Sequence, residues 1–152
     1  MATRCRIGLM LEDGTIKHSY CHWDGYPEGV GETLVQHYSD LEKINELLTL
    51  GDMSFLAPNI NPEGEHNFDN PEKGVTVFYS RDRGESGVDS AITTMEEYLS
   101  IKYSSAMDYL YVYKNGNWLV TRTLQKPKWK LVKSFLPAYS LTKEKVACNI
   151  TM

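Results

Sequence analysis

Two dipeptides, Asp13-Gly14 and Asn115-Gly116, each stand between segments in which apolar and polar residues alternate. Alternation with a period of two is typical of β-strands, and Asp-Gly or Asn-Gly between two such strands is a strong local signal for a two-residue hairpin turn. The chain therefore has to accommodate two antiparallel hairpins, one near each end. An all-helical fold is excluded.

The first hairpin is predicted to have a type I′ turn, which determines how its strands pair. Stepping back along the ladder from that turn sets Cys5 opposite His22 and Arg4 opposite Trp23. In this register His22 lies on the Cys5 side of the hairpin. Trp23 lies on the other side, together with Arg4 and Arg6.

The second hairpin carries a row of rings on one face, with Tyr113 set opposite Trp118 by the turn. The row consists of Tyr109, Tyr111, Tyr113 and Trp118. It is either core packed beneath a helix or an exposed stacking platform, and aromatic residues at strand spacing are more often core. For an exposed platform, positive charge is available from Arg122, Lys126, Lys128, Lys130 and Lys133.

Helix signals separate the two hairpins. A proline suits a first helical turn, a serine followed three residues later by glutamate forms a capping box, and threonine caps helices well. The corresponding residues are Pro27, Ser39 with Glu42, and Thr93 or Thr94.

Together these patterns predict a single α+β domain over residues 1–152. Its sheet is expected to be mainly antiparallel, built from the two hairpins plus a central strand at residues 75–79, with the helices on one face. A long polar connection at about residues 57–74 is predicted to be a flexible loop.

Composition indicates a soluble, reduced protein. The N-terminal segment lacks the apolar centre of a signal peptide, and no run approaches the roughly 18 apolar residues of a membrane span, so we expect a cytoplasmic location. The three cysteines, Cys5, Cys21 and Cys148, have no CxxC spacing and fit a reducing compartment better than a disulfide framework.

Charge is divided unevenly along the chain. Residues 1–108 carry 8 Lys or Arg and 19 Asp or Glu, whereas residues 109–152 carry 8 and 1, so a net charge of −11 is followed by one of +7. The C-terminal third therefore offers a basic surface to an anion. The alternative is that the two parts neutralise each other across the fold.

The most unusual segment is residues 20–31, Tyr-Cys-His-Trp-Asp-Gly-Tyr-Pro-Glu-Gly-Val-Gly. Glycines let a backbone approach a ligand closely, and a helix start offers unpaired amides and a positive dipole end. We therefore predict a binding site for an anion and a ring, composed of Arg4, Arg6, His22, Trp23, Asp24, Tyr26, Gly29, Gly31, Arg81 and Arg83. The competing interpretation is a tight turn in which Asp24 caps the helix.

Metal binding and catalysis have less support. Strand alternation points Cys21 away from His18 and His22, and the two histidines lie about 13 Å apart along one strand at a rise of ~3.3 Å per residue. His22 with Asp24 could form a base and its orienting carboxylate, but no nucleophile motif accompanies them. We expect no metal, no cofactor and no catalytic residue, with a small hydrolase or nucleotide-cleaving enzyme as the third interpretation.

Residues 4–8, 13–16 and 20–31 together resemble a family of small proteins encoded by tailed bacteriophages and prophages. The resemblance is strongest over residues 4 to about 56 and brings no catalytic activity with it. It implies expression inside an infected bacterium, where small non-structural phage proteins commonly block host immunity.

The resemblance and the predicted anion site lead to one expected function. The protein is a counter-defence protein of the host cytoplasm that binds and sequesters a nucleotide-derived anionic signal without cleaving it. The alternative is an inhibitor that docks on a host defence nuclease or sensor, with the acidic residues 1–108 as a mimic of nucleic acid. The expected partner is thus a small nucleotide-like anion or a host defence protein, not a membrane, and a homodimer with a pocket between its subunits is left open.

Overall fold

The computed structural model describes residues 2–104, 107–123 and 126–136. The strands are β1 (Cys5–Met10), β2 (Ile16–Cys21), β3 (Met53–Phe55), β4 (Val77–Phe78), β5 (Ala91–Thr93), β6 (Tyr109–Lys114), β7 (Asn117–Arg122) and β8 (Lys130–Leu131). The helices are α1 (Glu32–His37), α2 (Leu41–Thr49), α3 (Tyr79–Arg83) and α4 (Met95–Ser104), with a π-helical turn at Pro27–Gly31 and a 3-10 turn at Val132–Phe135. The prediction for Cys148 lies outside the described residues.

Within these residues the strands form one sheet in the order β4-β3-β2-β1-β6-β7-β8, with β5 paired to β2. The two hairpins meet through parallel pairing of β1 with β6, and β2 pairs in parallel with β3. The other pairs are antiparallel, so the α+β class is confirmed with a mixed sheet. The prediction of a central strand at residues 75–79 is wrong, because the hairpins pair directly with each other and leave β4 at the edge.

Alternate side chains of β6 face two separate cores. Tyr111 joins the core beneath α1 and α2, whereas Leu110 joins the core beneath α4. In the second core Tyr98 is fully buried, and its hydroxyl donates to the carbonyl oxygens of Arg6 (3.1 Å) and Tyr111 (2.7 Å). Helices thus cover both faces of the sheet, and the prediction of helices on one face is wrong because both faces of the central strands are apolar.

The second hairpin is formed as predicted. Tyr113 lies opposite Trp118, and Asn115 and Gly116 have the positive φ angles, 51° and 81°, that a type I′ turn requires. The buried members of the aromatic row are Tyr111, Tyr113 and Trp118. Only Tyr109 is half-buried, so the row is mostly core.

The first hairpin has a different turn from the predicted one. The amide of Leu11 donates to the carbonyl oxygen of Thr15 at 2.8 Å and Gly14 has a φ of 86°, so the loop holds three residues instead of two. The carboxylate of Asp13 stabilises this loop, because it accepts hydrogen bonds from the amide and the hydroxyl of Thr15 at 3.0 and 2.6 Å. The pairing of β1 with β2 is consequently shifted by one residue from the predicted register.

This shift moves side chains to the opposite face of the hairpin. Cys5 pairs with Cys21, and both are buried free thiols. His22 joins the face that carries Arg6, whereas Trp23 leaves it. The predictions that placed His22 on the Cys5 side and Trp23 on the arginine side are therefore wrong.

The helix caps agree with the predictions at one helix and differ at the other. The side chain of Asp40, and not that of Ser39, caps α2 and accepts from the amide of Glu42 at 3.2 Å. At α4, Thr94 and Glu97 form a reciprocal capping box, with side chain to amide distances of 3.0 and 3.1 Å. The threonine cap is therefore confirmed.

The polar connection at residues 57–74 is attached to α3 by a cluster of charged side chains. Nε2 of His66 donates to Oδ2 of Asp82 at 3.0 Å, and Nε of Arg81 donates to Oδ1 of Asp82 at 2.9 Å. Burial raises the pKa of Asp82, but hydrogen bonds from Arg81, the Phe78 amide and His66 outweigh it and lower the pKa. The ionised carboxylate thus fastens the connection to the helix.

Candidate functional site

The turn that follows β2 is hydrogen-bonded to itself. Asp24 has a left-handed backbone with a φ of 57°, and its carbonyl oxygen accepts from the amide of Val30 at 2.8 Å. The amide of Gly29 donates to the carbonyl oxygen of Tyr26 at 2.9 Å. Pro27 begins the helical turn, as predicted, and has no amide hydrogen. The amides of Gly29 and Val30, expected to be free for an anion, are thus occupied.

Close packing accounts for two glycines of this turn. A Cβ added to Gly29 would lie 2.4 Å from the carbonyl oxygen of Asp24, and one added to Gly31 would lie 2.8 Å from Cγ1 of Val132. Neither distance is tolerated without a shift of the neighbouring group. These glycines therefore serve the contacts of the turn with itself and with the 3-10 turn.

Beside the turn lies a cleft of about 270 Å³, which we call the acidic cleft. Trp23 and Phe55 form aromatic walls and are 45% and 40% exposed. Its polar and charged lining residues are Asp24, Glu28, Glu32, Thr33, Gln36 and His37. Among the described residues, no Lys or Arg lines this cleft. The cleft next to the turn thus has the charge that repels an anion.

His22 and Tyr20 form a hydrogen-bonded pair on the other face of the sheet, 2.7 Å from the Tyr20 hydroxyl to Nδ1 of His22. Burial raises the pKa of Tyr20 to about 12, opposed by the nearby Arg4 guanidinium. Burial, reinforced by Arg4, lowers the pKa of His22. At neutral pH the phenol and the imidazole are therefore both uncharged, an arrangement without an activated nucleophile.

Arg6 is engaged by structural partners on the same face. Its Nε donates to Nδ1 of His18 at 2.8 Å, and its guanidinium lies 3.9 Å from Oδ1 of Asp52. Nε2 of His18 then binds the hydroxyl of Thr93 at 3.1 Å. Burial, together with the Arg6 charge, lowers the pKa of His18 to about 4, so the ring is neutral.

Arg81 and Arg83 attach the polar connection to α3. Arg81 donates to the carbonyl oxygen of Ile60 at 2.6 Å, in addition to its ion pair with Asp82. Arg83 lies over the ring of Phe68 at 4.1 Å and pairs with Glu85. Both guanidinium groups thus have partners within this region.

The ten predicted binding residues are therefore divided among separate places. Trp23, Asp24 and Gly29 line the acidic cleft, while Tyr26, 39% exposed, places its hydroxyl 3.4 Å from Oδ1 of Asp24. Gly31 packs on the 3-10 turn. Arg4 and Arg6 lie on the opposite face of the sheet, and Arg81 and Arg83 lie at α3. His22 bonds Tyr20 on that opposite face, and its ring also contacts the Trp23 ring, with centroids 4.8 Å apart.

A second cleft, of about 180 Å³, lies at one end of β6 and β7 beside β8, and we call it the basic cleft. Its lining consists of Tyr109, Val120, Thr121, Arg122, Lys126, Lys128, Lys130 and Phe135. The Arg122 guanidinium lies over the Tyr109 ring at 5.5 Å, and no carboxylate is among these described lining residues. The acid-free stretch between Asp108 and Glu144 is the sequence signal for this cleft.

The basic cleft lies at the same end of the sheet as the turn after β2. Tyr109 pairs with Cys5 at the start of β1, and the ring of Tyr111, 6.5 Å from that of Tyr109, places its hydroxyl 2.7 Å from the carbonyl oxygen of Gly25. The ion pairs found among the described residues all join partners within residues 1–108. The cations of this cleft are therefore not neutralised by ion pairs in that part of the structure.

In the described ranges no group of three or more His, Cys, Asp or Glu side chains is arranged to hold a metal ion. No helix of those ranges is both long and apolar enough to cross a membrane. Comparisons with protein-family models, curated proteins and solved structures found no match. The acidic cleft and the basic cleft are therefore the two candidate binding sites considered below.

Proposed function

We propose that the protein binds a nucleotide-derived anionic ligand in the basic cleft and retains it without cleaving it. The observation that carries the proposal is that four cationic side chains and two aromatic rings line one cleft. Cations form charge-assisted hydrogen bonds with phosphate, and rings stack on nucleobases. The proposed binding residues are Tyr109, Arg122, Lys126, Lys128, Lys130 and Phe135.

The volume of the basic cleft limits how much of a ligand it encloses. Its 180 Å³ is below the roughly 300–1,000 Å³ of pockets that surround a drug-sized molecule. We expect it to hold a phosphate-bearing part of the ligand, with the remainder outside. A second copy of the chain in a homodimer would cover that remainder.

The chemistry of the lining supports binding without turnover. The described lining contains no histidine, carboxylate or cysteine, so it lacks an imidazole or carboxylate base and a thiol nucleophile. Its one aliphatic hydroxyl, on Thr121, accepts a hydrogen bond from the amide of Lys128 at 2.9 Å. A ligand held there meets cations and rings but no imidazole or carboxylate that would remove a proton.

The biological context that we propose is the cytoplasm of an infected bacterium. We infer this context from the resemblance of residues 4 to about 56 to small phage and prophage proteins. A phage protein that lowers the free concentration of a nucleotide signal acts against a defence that the signal activates. Such sequestration requires affinity and abundance, not a reaction.

Isothermal titration calorimetry with a panel of cyclic dinucleotides and ADP-ribose derivatives tests the proposal. We expect at least one of them to bind, with an affinity that falls as salt rises. The charge reversal Lys128→Glu should weaken that binding by about tenfold or more, since it replaces an attraction by a repulsion.

Lys114→Glu is the matched control, because Lys114 is exposed at the far end of β6 and changes the net charge equally. Its affinity should equal that of the unmodified protein. Silence across the whole panel, or the same loss of affinity in both variants, contradicts the proposal.

A further inference from the structure

We propose that the acidic cleft is a second binding site, which takes an arginine side chain from the nucleic-acid-binding surface of a partner protein. The site is separate from the basic cleft and does not depend on the proposed ligand. Its evidence lies in the aromatic walls, in the unpaired carboxylates and in the fixed position of Trp23.

The exposed apolar surface of the protein is concentrated at this cleft. Six large apolar side chains are exposed in the described part of the chain, and three of them, Trp23, Tyr26 and Phe55, lie in or beside the acidic cleft. Large exposed aromatic residues that are grouped mark interaction sites, whereas scattered ones need no explanation. Tryptophan in particular is enriched among residues that dominate binding energy.

The carboxylates of the cleft have no cation of their own. Asp24, Glu28 and Glu32 form no ion pair with any described residue. Their hydrogen bonds in that part of the chain come from neutral groups, the Tyr26 hydroxyl and the Gln36 amide. A cation entering the cleft would therefore gain attraction from three carboxylates without breaking an existing ion pair.

The indole of Trp23 is positioned before any partner arrives. The His22 ring meets it edge-on, with centroids 4.8 Å apart and an interplanar angle of 88°. The Trp23 amide donates to the carbonyl oxygen of Ser54 at 3.0 Å, which ties the residue to β3 beside Phe55. The Trp23 side chain then loses less conformational entropy when a partner binds than a freely rotating side chain would.

These features select a guanidinium over other cations. Arginine is planar, stacks on aromatic faces and binds carboxylates through two parallel hydrogen bonds, whereas the lysine ammonium is a compact, strongly hydrated charge. A volume of about 270 Å³ accommodates a side chain but not a folded element. Surfaces that bind nucleic acid are rich in arginine, and the net charge of −11 on residues 1–108 is complementary to them.

Titration of the full chain with a blocked Gly-Arg-Gly-Arg-Gly peptide, followed by tryptophan fluorescence and calorimetry, tests this site. We expect the arginine peptide to bind about tenfold or more tightly than its lysine counterpart. Glu28→Gln combined with Glu32→Gln should weaken binding by at least about tenfold, and so should Trp23→Ala, whose side chain is exposed enough to leave the fold intact.

The matched control is Glu63→Gln combined with Glu65→Gln, which removes the same charge from exposed positions in the polar connection. It should bind the peptide as the unmodified protein does, and Lys128→Glu should not weaken that binding. Equal weakening in the control pair, or equal affinity for the lysine peptide, overturns the proposal. Self-association in sedimentation that disappears in the Glu28→Gln, Glu32→Gln variant also overturns it, since the occupant would then be a second copy.

Discussion

Single buried polar side chains distinguish the two faces of the sheet. Toward α4, His18 is neutral because burial, together with the Arg6 charge, lowers its pKa to about 4, and it accepts a hydrogen bond from Arg6. Toward α1 and α2, the indole nitrogen of Trp118 donates to the carbonyl oxygen of Tyr38 at 2.7 Å. Ser19 is the exception in the described residues, since its buried hydroxyl has no partner. A change in the protonation or the size of one of these side chains therefore tests the stability of the core on its own face of the sheet.

His18 predicts a loss of stability in mild acid. Its folded pKa of about 4 lies below the ordinary value of 6.5. Between these two values the unfolded chain binds a proton that the folded chain does not, so the free energy of unfolding falls as the pH drops through this range. The stabilisation is fully present above pH 6.5 and absent below about pH 4.

Urea unfolding at pH 4.5 and pH 7 measures this effect. We expect a smaller difference between the two pH values in His18→Gln than in the unmodified protein. His37→Gln, at an exposed position, is the control and should keep the full difference. An unchanged pH dependence in His18→Gln would show that this ring is not the source.

Tyr98→Phe should lower the free energy of unfolding by about 1–3 kcal/mol, because it removes a buried hydroxyl that serves two carbonyl oxygens. Tyr26→Phe removes the same atom from an exposed ring and should change stability by less than about 0.5 kcal/mol. Chemical denaturation of the two variants makes the comparison. Equal effects would mean that the Tyr98 hydroxyl contributes no more than an exposed one.

At the scale of elements, two similar dipeptides produce different turns. Asn115 has a positive φ in the second hairpin, whereas only Gly14 does in the first. The difference comes from Thr15, whose amide and hydroxyl bind the Asp13 carboxylate. The existence of both hairpins was predictable from the alternation of apolar and polar residues. The register of the first hairpin depends on the two hydrogen bonds between Thr15 and Asp13. The one-residue error then assigned His22 and Trp23 to the wrong faces, so the candidate site was only partly predictable.

The turn after β2 predicts a strong dependence on glycine. Gly29→Ala places a Cβ 2.4 Å from a backbone oxygen, and the turn has to open to accept it. We expect a loss of about 1–3 kcal/mol in the free energy of unfolding, or more. Gly64→Ala is the control, since its Cβ meets only the flexible Glu72 carboxylate at 3.3 Å, and its effect should stay within about 0.5 kcal/mol. Similar losses in both variants would contradict the packing explanation.

At the scale of the whole molecule, β1 and β6 occupy the centre of the sheet and β8 its edge. Local patterns identify strands but contain no signal for a pair so distant in sequence, so the parallel pairing of β1 with β6 was not predictable. Amide hydrogen exchange followed by NMR tests the order. We expect the amides of Ile7 and Val112 to be the most protected and those of Lys130 and Leu131 to exchange at least about a hundredfold faster. Equal rates in β6 and β8 would contradict the central position of β6.

The pairing of β1 with β6 also determines how early in synthesis the centre of the sheet can form. Cys5 and Tyr109 lie about a hundred positions apart, so at roughly 5–20 residues per second the first hairpin leaves the ribosome about 5–20 s before its partner strand exists. A hairpin itself forms in roughly 1–10 μs. For nearly all of that interval β1 presents an unpaired edge, the kind of surface on which strands of other chains add. We therefore expect the nascent N-terminal hairpin to be the part of this protein most exposed to association with other chains before β6 is made.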